Sequence, residues 1–314
     1  VTDERVYLGH ARALAQHGIG RGFRLNADRF LENADARHYP SPIRWLWLLA
    51  LRLTLRAPLA VPVASALAIA PAAWWAFGLP WWSLPLLVSS PLLWITARRV
   101  WVDAPVALLT ILGLGFASRG EPTGLAACVF GALALREASA LAVPALAVAW
   151  LLGGHALLPL GASLAFASVA YLIGCRLVVG PKWFRVMRAA SGGHATEYTR
   201  QHQSGGAHRL LVDLVLLSPV ACFLSVVPMV WPDVLFTLLA LLVFHGLAPV
   251  NNIRTVLALD VFVRAQALHY AVDARVVWLL CWLVVDALVL YATRKIYDPV
   301  TANLTAALGM SPRT

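Results

Sequence analysis

The chain is 314 residues long, 60% apolar and only 13% charged, with a formal net charge of +10. Soluble domains are about half apolar and about a quarter charged. This composition, with a mean hydropathy of +0.74, therefore excludes an ordinary soluble enzyme and predicts a polytopic membrane protein. The apolar stretches are long and continuous rather than alternating, which predicts helices that satisfy their own backbone groups in lipid and excludes a β-barrel.

The cationic excess is almost wholly arginine and lies in short connections between apolar runs. There it sets topology and meets anionic head groups or phosphates, so nucleic acid is not an expected partner. Cys128, Cys175, Cys222 and Cys281 each lie within an apolar run and none forms a CxxC. They read as small buried hydrophobes rather than disulfides or metal ligands. No cleavable signal peptide is visible.

Residues 1–41 form a polar segment ahead of the apolar body. Asp3-Glu4 is a pair of adjacent carboxylates, fit to act as a general base or to hold a cation, and equally readable as a solvated acidic stretch. Arg12 to Gly18 predicts a short amphipathic helix stopped by glycine, lying on head groups. Tyr39-Pro40-Ser41-Pro42 ends that segment and starts the next helix, where proline's missing donor is not needed.

Candidate spans follow at 42–56, 57–78, 79–97, 102–118, 122–135, 138–153, 156–179, 210–231, 232–249, 255–272 and 275–293. Several fall short of the roughly 20 residues of a perpendicular crossing, which predicts half-helices or re-entrant pieces and about eight to ten true crossings. Arg98-Arg99 and Asp103-Ala-Pro105 place two cations and a carboxylate at one boundary, where they can pair with each other or bind phosphate and orient a nucleophile. Arg136-Glu137 interrupts an apolar stretch and reads as a cytoplasmic turn between two short helices. Arg52, Arg56, Arg98 and Arg99 suggest cytoplasmic turns.

A second polar region, 180–209, carries Trp183 and Phe184 in a possible interfacial helix over 182–189. Its His194, Glu197, His202 and His208 match no zinc spacing, so no metal site is assigned. Beyond it, 210–314 is read as further transmembrane helices and a tail. Arg254, after Asn251-Asn252-Ile, is a cation fit to hold a lipid phosphate. Asp260 and Arg264 suit a local i,i+4 salt bridge. Asp213 and Asp286 stand within apolar runs, as transport residues or as polar contacts between helices.

Asp3-Glu4 with Tyr7 three residues on, an Ala-Leu-Ala helix ending at Gly18, and Phe30 and Tyr39 before Pro40-x-Pro42 begin an ordered set. Ser90-Pro91, Arg98-Arg99, Asp103-x-Pro105 and Gly131-Ala-Leu-Ala-Leu-Arg136-Glu137 complete it. The set resembles the polytopic GT-C glycosyltransferases of the family 39 type, which include protein mannosyltransferases and aminoarabinose transferases. The resemblance covers roughly residues 1–150, with Asn252-Ile-Arg254 and Asp260 as a looser match.

The resemblance implies an all-α GT-C-like bundle with a membrane core at 42–179 and two polar external loops. The family's first transmembrane helix is missing from the chain, and the start at Val within the polar segment leads to the expectation of an N-terminal truncation. It implies catalytic carboxylates at Asp3, with Glu4 beside it, and at Asp103. Arg98, Arg99 and Arg254 would hold the phosphate of a polyprenyl-phosphate sugar donor. The acceptor would be a lipid, glycan or protein at the external face of a bacterial inner membrane; no cofactor is assigned, and metal dependence is left open. Departures are Pro40-Ser41-Pro42 in place of Pro-Pro, and His38-Tyr39 where the aminoarabinose branch has lysine. An external Asp103 also conflicts with cytoplasmic arginines beside it, unless one short span is re-entrant or Asp103 is structural. The alternative function is a transporter or flippase of a lipid-linked substrate.

Overall fold

The computed structural model describes residues 3–32, 41–98, 100–190, 257–270 and 275–293. All the regular structure among them is helical. The expected spans at 210–231 and 232–249 lie outside the described residues, as do Arg254 and Asp213.

The polar N-terminal segment folds into a hairpin of α1 (Asp3–His17) and α2 (Ile19–Glu32). Gly18 turns the corner with φ 75°, a left-handed conformation that glycine adopts without steric cost. Both helices are amphipathic. Tyr7, Ala11 and Leu14 of α1 are buried, as are Phe23, Ala27 and Phe30 of α2, while Arg5, Arg12, Arg21, Arg24 and Arg29 are exposed. The two helices touch backbone to backbone at Gly22, where a Cβ would sit 2.8 Å from Leu14 Cα and 2.9 Å from the Ala13 carbonyl oxygen. Neither neighbour can rotate away. Gly22→Ala is therefore expected to cost about 1–3 kcal/mol and to expose the hairpin to limited proteolysis; a protection pattern like that of the parent would contradict this packing.

The apolar body begins with α3 (Trp45–Leu53) and α4 (Ala60–Phe77). The expected span 79–97 is not one helix. It breaks into a 3-10 turn at Trp81–Ser83, α5 (Leu84–Val88) and α6 (Pro91–Ala97). The cause is local. Pro91 has no N–H to continue the helix from α5, and the Ser90 side chain caps α6 by accepting from Leu93 N at 3.2 Å. Hydropathy alone does not register this break, because proline and serine sit inside an apolar run.

α7 (Asp103–Ser118) and α8 (Pro122–Leu135) follow as an antiparallel pair. A 3-10 turn at Glu137–Ala142 leads into α9 (Val143–Leu152), and α10 (Leu157–Val179) runs parallel to α8. Ser163 Oγ, near the start of α10, donates to the Pro122 carbonyl at 3.0 Å. After a turn at Gly180, residues 183–190 form α11. α12 (Leu257–Tyr270) and α13 (Arg275–Thr293) pack against α4 to α7.

Among the described residues two helices, α4 and α10, are long and apolar enough to cross a membrane; α7, α8, α9 and the stretch 280–291 are apolar but shorter. Small residues let the bundle close. A Cβ on Gly115 of α7 would lie 2.5 Å from the Trp75 ring and 2.9 Å from Ala76 of α4. This contact aligns the C-terminal ends of α4 and α7. Arg119 seals that end, donating to the carbonyls of Gly115 at 2.8 Å and Trp75 at 2.6 Å and stacking on the Trp75 ring at 4.2 Å.

Candidate functional site

The opposite end of the bundle gathers Glu4, Arg98, Asp103, Arg136 and Glu137. α7 begins there and α8 ends there, so their antiparallel pairing brings Asp103 and Arg136 together across 33 positions of sequence. Arg136 Nη1 donates to Asp103 Oδ1 at 2.7 Å, with both side chains under a tenth exposed. The carboxylate of Asp103 is thus paired with an arginine on another helix, and it sits in the first turn of α7, where the helix dipole also favours negative charge.

Glu137, the next residue, is gripped by Arg44, which precedes α3. Arg44 Nε and Nη2 donate to the two carboxylate oxygens, each at 2.9 Å. This parallel two-point contact is the strongest geometry open to an arginine. Arg44 Nη1 also donates to Tyr7 Oη at 2.6 Å, and the Tyr7 ring meets Trp47 edge-on at 6.0 Å. One guanidinium therefore ties α1, α3 and the turn after α8 together.

Glu4 lies one turn before Tyr7 on α1. Its Oε1 accepts from Val100 N at 2.9 Å, which docks the start of α1 on the 98–103 turn. Arg98 is exposed in that turn. Asp3 opens α1. Arg99 lies outside the described residues.

Arg98 and Glu4 stand at the same end of the molecule, so a cytoplasmic Arg98 and an external Asp3-Glu4 cannot both hold. The 79–97 stretch is broken into short helices, and Asp103 sits near the start of the N-terminal hairpin through the 98–103 turn that Glu4 meets. Arg136-Glu137 does occupy a turn, as read, but its charges pair across helices and hold the site's frame. Asp103 bonds to Arg136, and the expected pairing with Arg99 lies outside the described residues. Arg44 carried no role in sequence; its signal was a lone cation at the head of an apolar helix.

His10, on the same helix as Glu4 and Tyr7, has a buried Nδ1 with no hydrogen-bond partner among the described residues. Burial, aided by the nearby charge of Arg29, lowers its pKa from 6.5 to about 4. The unfolded chain takes up this proton at higher pH than the folded one, so stability from this residue is complete above pH 6.5 and is lost as pH falls toward 4. Melting temperature is expected to fall across that window, and His10→Gln to flatten the fall; an unchanged slope would contradict the assignment.

A second charged network lies inside the bundle. Arg264 of α12 bonds to Asp260 one turn earlier at 3.1 Å and to Asp286 of α13 at 2.6 and 2.9 Å. Ser90 donates to Asp260 and Ser89 to Asp286, each at 2.6 Å. The expected i,i+4 bridge is therefore present, and Asp286 is a polar contact between helices. Both serines belong to the break between α5 and α6, so the network clamps that break.

Among the described residues no group of three His, Cys, Asp or Glu side chains could hold a metal ion. No protein-family model matches the chain, and no curated protein or solved structure shows significant similarity to it.

Proposed function

We propose that this protein is a polytopic membrane glycosyltransferase that moves a sugar from a polyprenyl-phosphate carrier to an acceptor at the external face of a bacterial inner membrane. The observation that carries the reading is the contact between Glu4 and the Val100 amide. It sets the Asp3-Glu4 start of α1 beside the turn that bears the exposed Arg98. A carboxylate and a cation at one boundary of an apolar bundle suit a donor whose lipid lies in the membrane and whose phosphate and sugar lie outside it.

In this reading Asp3 takes the proton of the acceptor hydroxyl or amine. The acceptor atom bonds to the anomeric carbon as the bond from that carbon to the phosphate oxygen breaks, and the phosphate leaves with the electron pair. Arg98, with Arg99 and Arg254, stabilises the charge that builds on the leaving group. Inversion at the sugar carbon is what the family resemblance implies. Asp103, bound to Arg136, takes a positioning role in place of the catalytic one, and Glu4 likewise positions α1.

The test uses inner-membrane vesicles holding the full-length protein and labelled polyprenyl-phosphate sugars. Asp3→Asn is expected to abolish transfer at unchanged membrane abundance, and Arg98→Ala to weaken it. Full activity in Asp3→Asn would overturn the role of Asp3. Sidedness is checked separately with a labelled cysteine at position 12; reaction only with cytoplasm-side reagent would contradict the external placement. The transporter reading is favoured by one observation, the buried Asp260–Arg264–Asp286 network. It predicts label that crosses the bilayer while staying on its carrier.

A further inference from the structure

We infer that the α1–α2 hairpin and α11 form one basic surface that binds the anionic phospholipid head groups of the leaflet around the site. The inference rests on α10 being a membrane span.

α10 presents Leu172, Ile173 and Leu177 outward, with Leu177 77% exposed. Immediately after this apolar face the chain turns at Gly180, with φ 88°, and α11 starts, so α11 sits where a lipid-facing helix leaves the hydrocarbon. Its exposed side chains are Phe184, 60% exposed, and the cations Arg185 and Arg188. An apolar ring flanked by arginines is the composition of a helix lying in the head-group region.

The hairpin joins the same surface. Lys182 Nζ bonds to Asp28 Oδ1 of α2 at 2.6 Å, and a Cβ on Gly180 would lie 3.7 Å from Arg24 Cγ. Arg12, Arg21 and Arg24 are exposed on the hairpin. The Asp28 carboxylate is already engaged by Lys182, so the arginines around it keep their charge. None of Arg12, Arg21, Arg24, Arg185 and Arg188 makes an ion pair or a side-chain hydrogen bond among the described residues. The surface is positive, carries an apolar anchor and borders the bilayer, which is the complement of a phosphatidylglycerol-rich leaflet rather than of a soluble protein.

Purified full-length protein in neutral detergent is titrated with phosphatidylglycerol or phosphatidylcholine, and binding is read from tryptophan fluorescence. Each arginine near an anionic surface is worth about 1 kcal/mol, and 1.4 kcal/mol is tenfold in affinity. Phosphatidylglycerol is therefore expected to bind at least tenfold more tightly than phosphatidylcholine, and less tightly as salt rises. The pair Arg185→Ala and Arg188→Ala should remove most of that preference, while Arg185→Lys with Arg188→Lys retains it. Equal affinity for the two lipids, or an undiminished preference in the alanine pair, would overturn the inference. Resistance of the protein to alkaline extraction from membranes is scored in parallel, so that a failure of the membrane reading is seen separately.

Discussion

Arg264→Ala is expected to destabilise the protein by about 3–5 kcal/mol, the cost of leaving buried charge without its counter-ion. The side chain is wholly buried and bonds to both Asp260 and Asp286. Without it Asp260 and Asp286 lose this guanidinium in an apolar interior, and the serine hydroxyls that donate to them cannot neutralise charge. The damage is not confined to α12 and α13. Ser89 and Ser90 hold the break between α5 and α6 to the same carboxylates, so that segment loses its anchor too. Thermal unfolding in detergent measures the loss. Replacing Arg264, Asp260 and Asp286 together with apolar residues of similar size is expected to recover most of it, because a buried ion network stabilises little over good apolar packing. A triple variant as unstable as Arg264→Ala would show that the cost is lost packing rather than unpaired charge.

Glu137→Ala is expected to be of similar size. It removes both oxygens that Arg44 grips and leaves a buried guanidinium with the Tyr7 hydroxyl, which is neutral. A double-mutant cycle with Arg44→Met isolates the pair, and a coupling of about 2 kcal/mol or more is expected for contacts within one network. The functional consequence follows from connectivity. Arg44 links α1 to the end of α8, so its release undocks the helix that begins with Asp3 and Glu4. Transfer activity should therefore fall further than stability alone accounts for. The Lys182–Asp28 pair offers the contrast. Its side chains are 49% and 36% exposed, and Lys182→Ala is expected to cost under about 1 kcal/mol. A coupling near zero for Arg44 and Glu137 would mean that the clamp does not hold the site.

Where punctuation and hydropathy agree, the helices were legible in the sequence. Spans read at 102–118, 122–135 and 275–293 stand as α7, α8 and α13 within a residue at each end, since Pro122 starts one and charged residues delimit the others. The stretch 79–97 looks like one span because Pro85 and Pro91 start new short helices without ending the apolar run. The charged residues of the site were visible as interruptions of apolar runs, yet their pairing was not. Arg44 and Glu137 are 93 positions apart, and whether they meet depends on which helix ends share a side. A count of crossings settles that only when every span is a full crossing. Local pairs such as Asp260 with Arg264 were legible because helix periodicity alone sets them.

The most direct measurement of the central claim is the fate of a labelled sugar supplied on polyprenyl phosphate to proteoliposomes of the wild-type protein, with periplasmic glycan, lipid and protein acceptors present. The account predicts that label leaves the carrier and becomes covalently attached to an acceptor, releasing free polyprenyl phosphate in equal amount. Label that stays on its carrier, whether or not it crosses the bilayer, would contradict a glycosyltransferase.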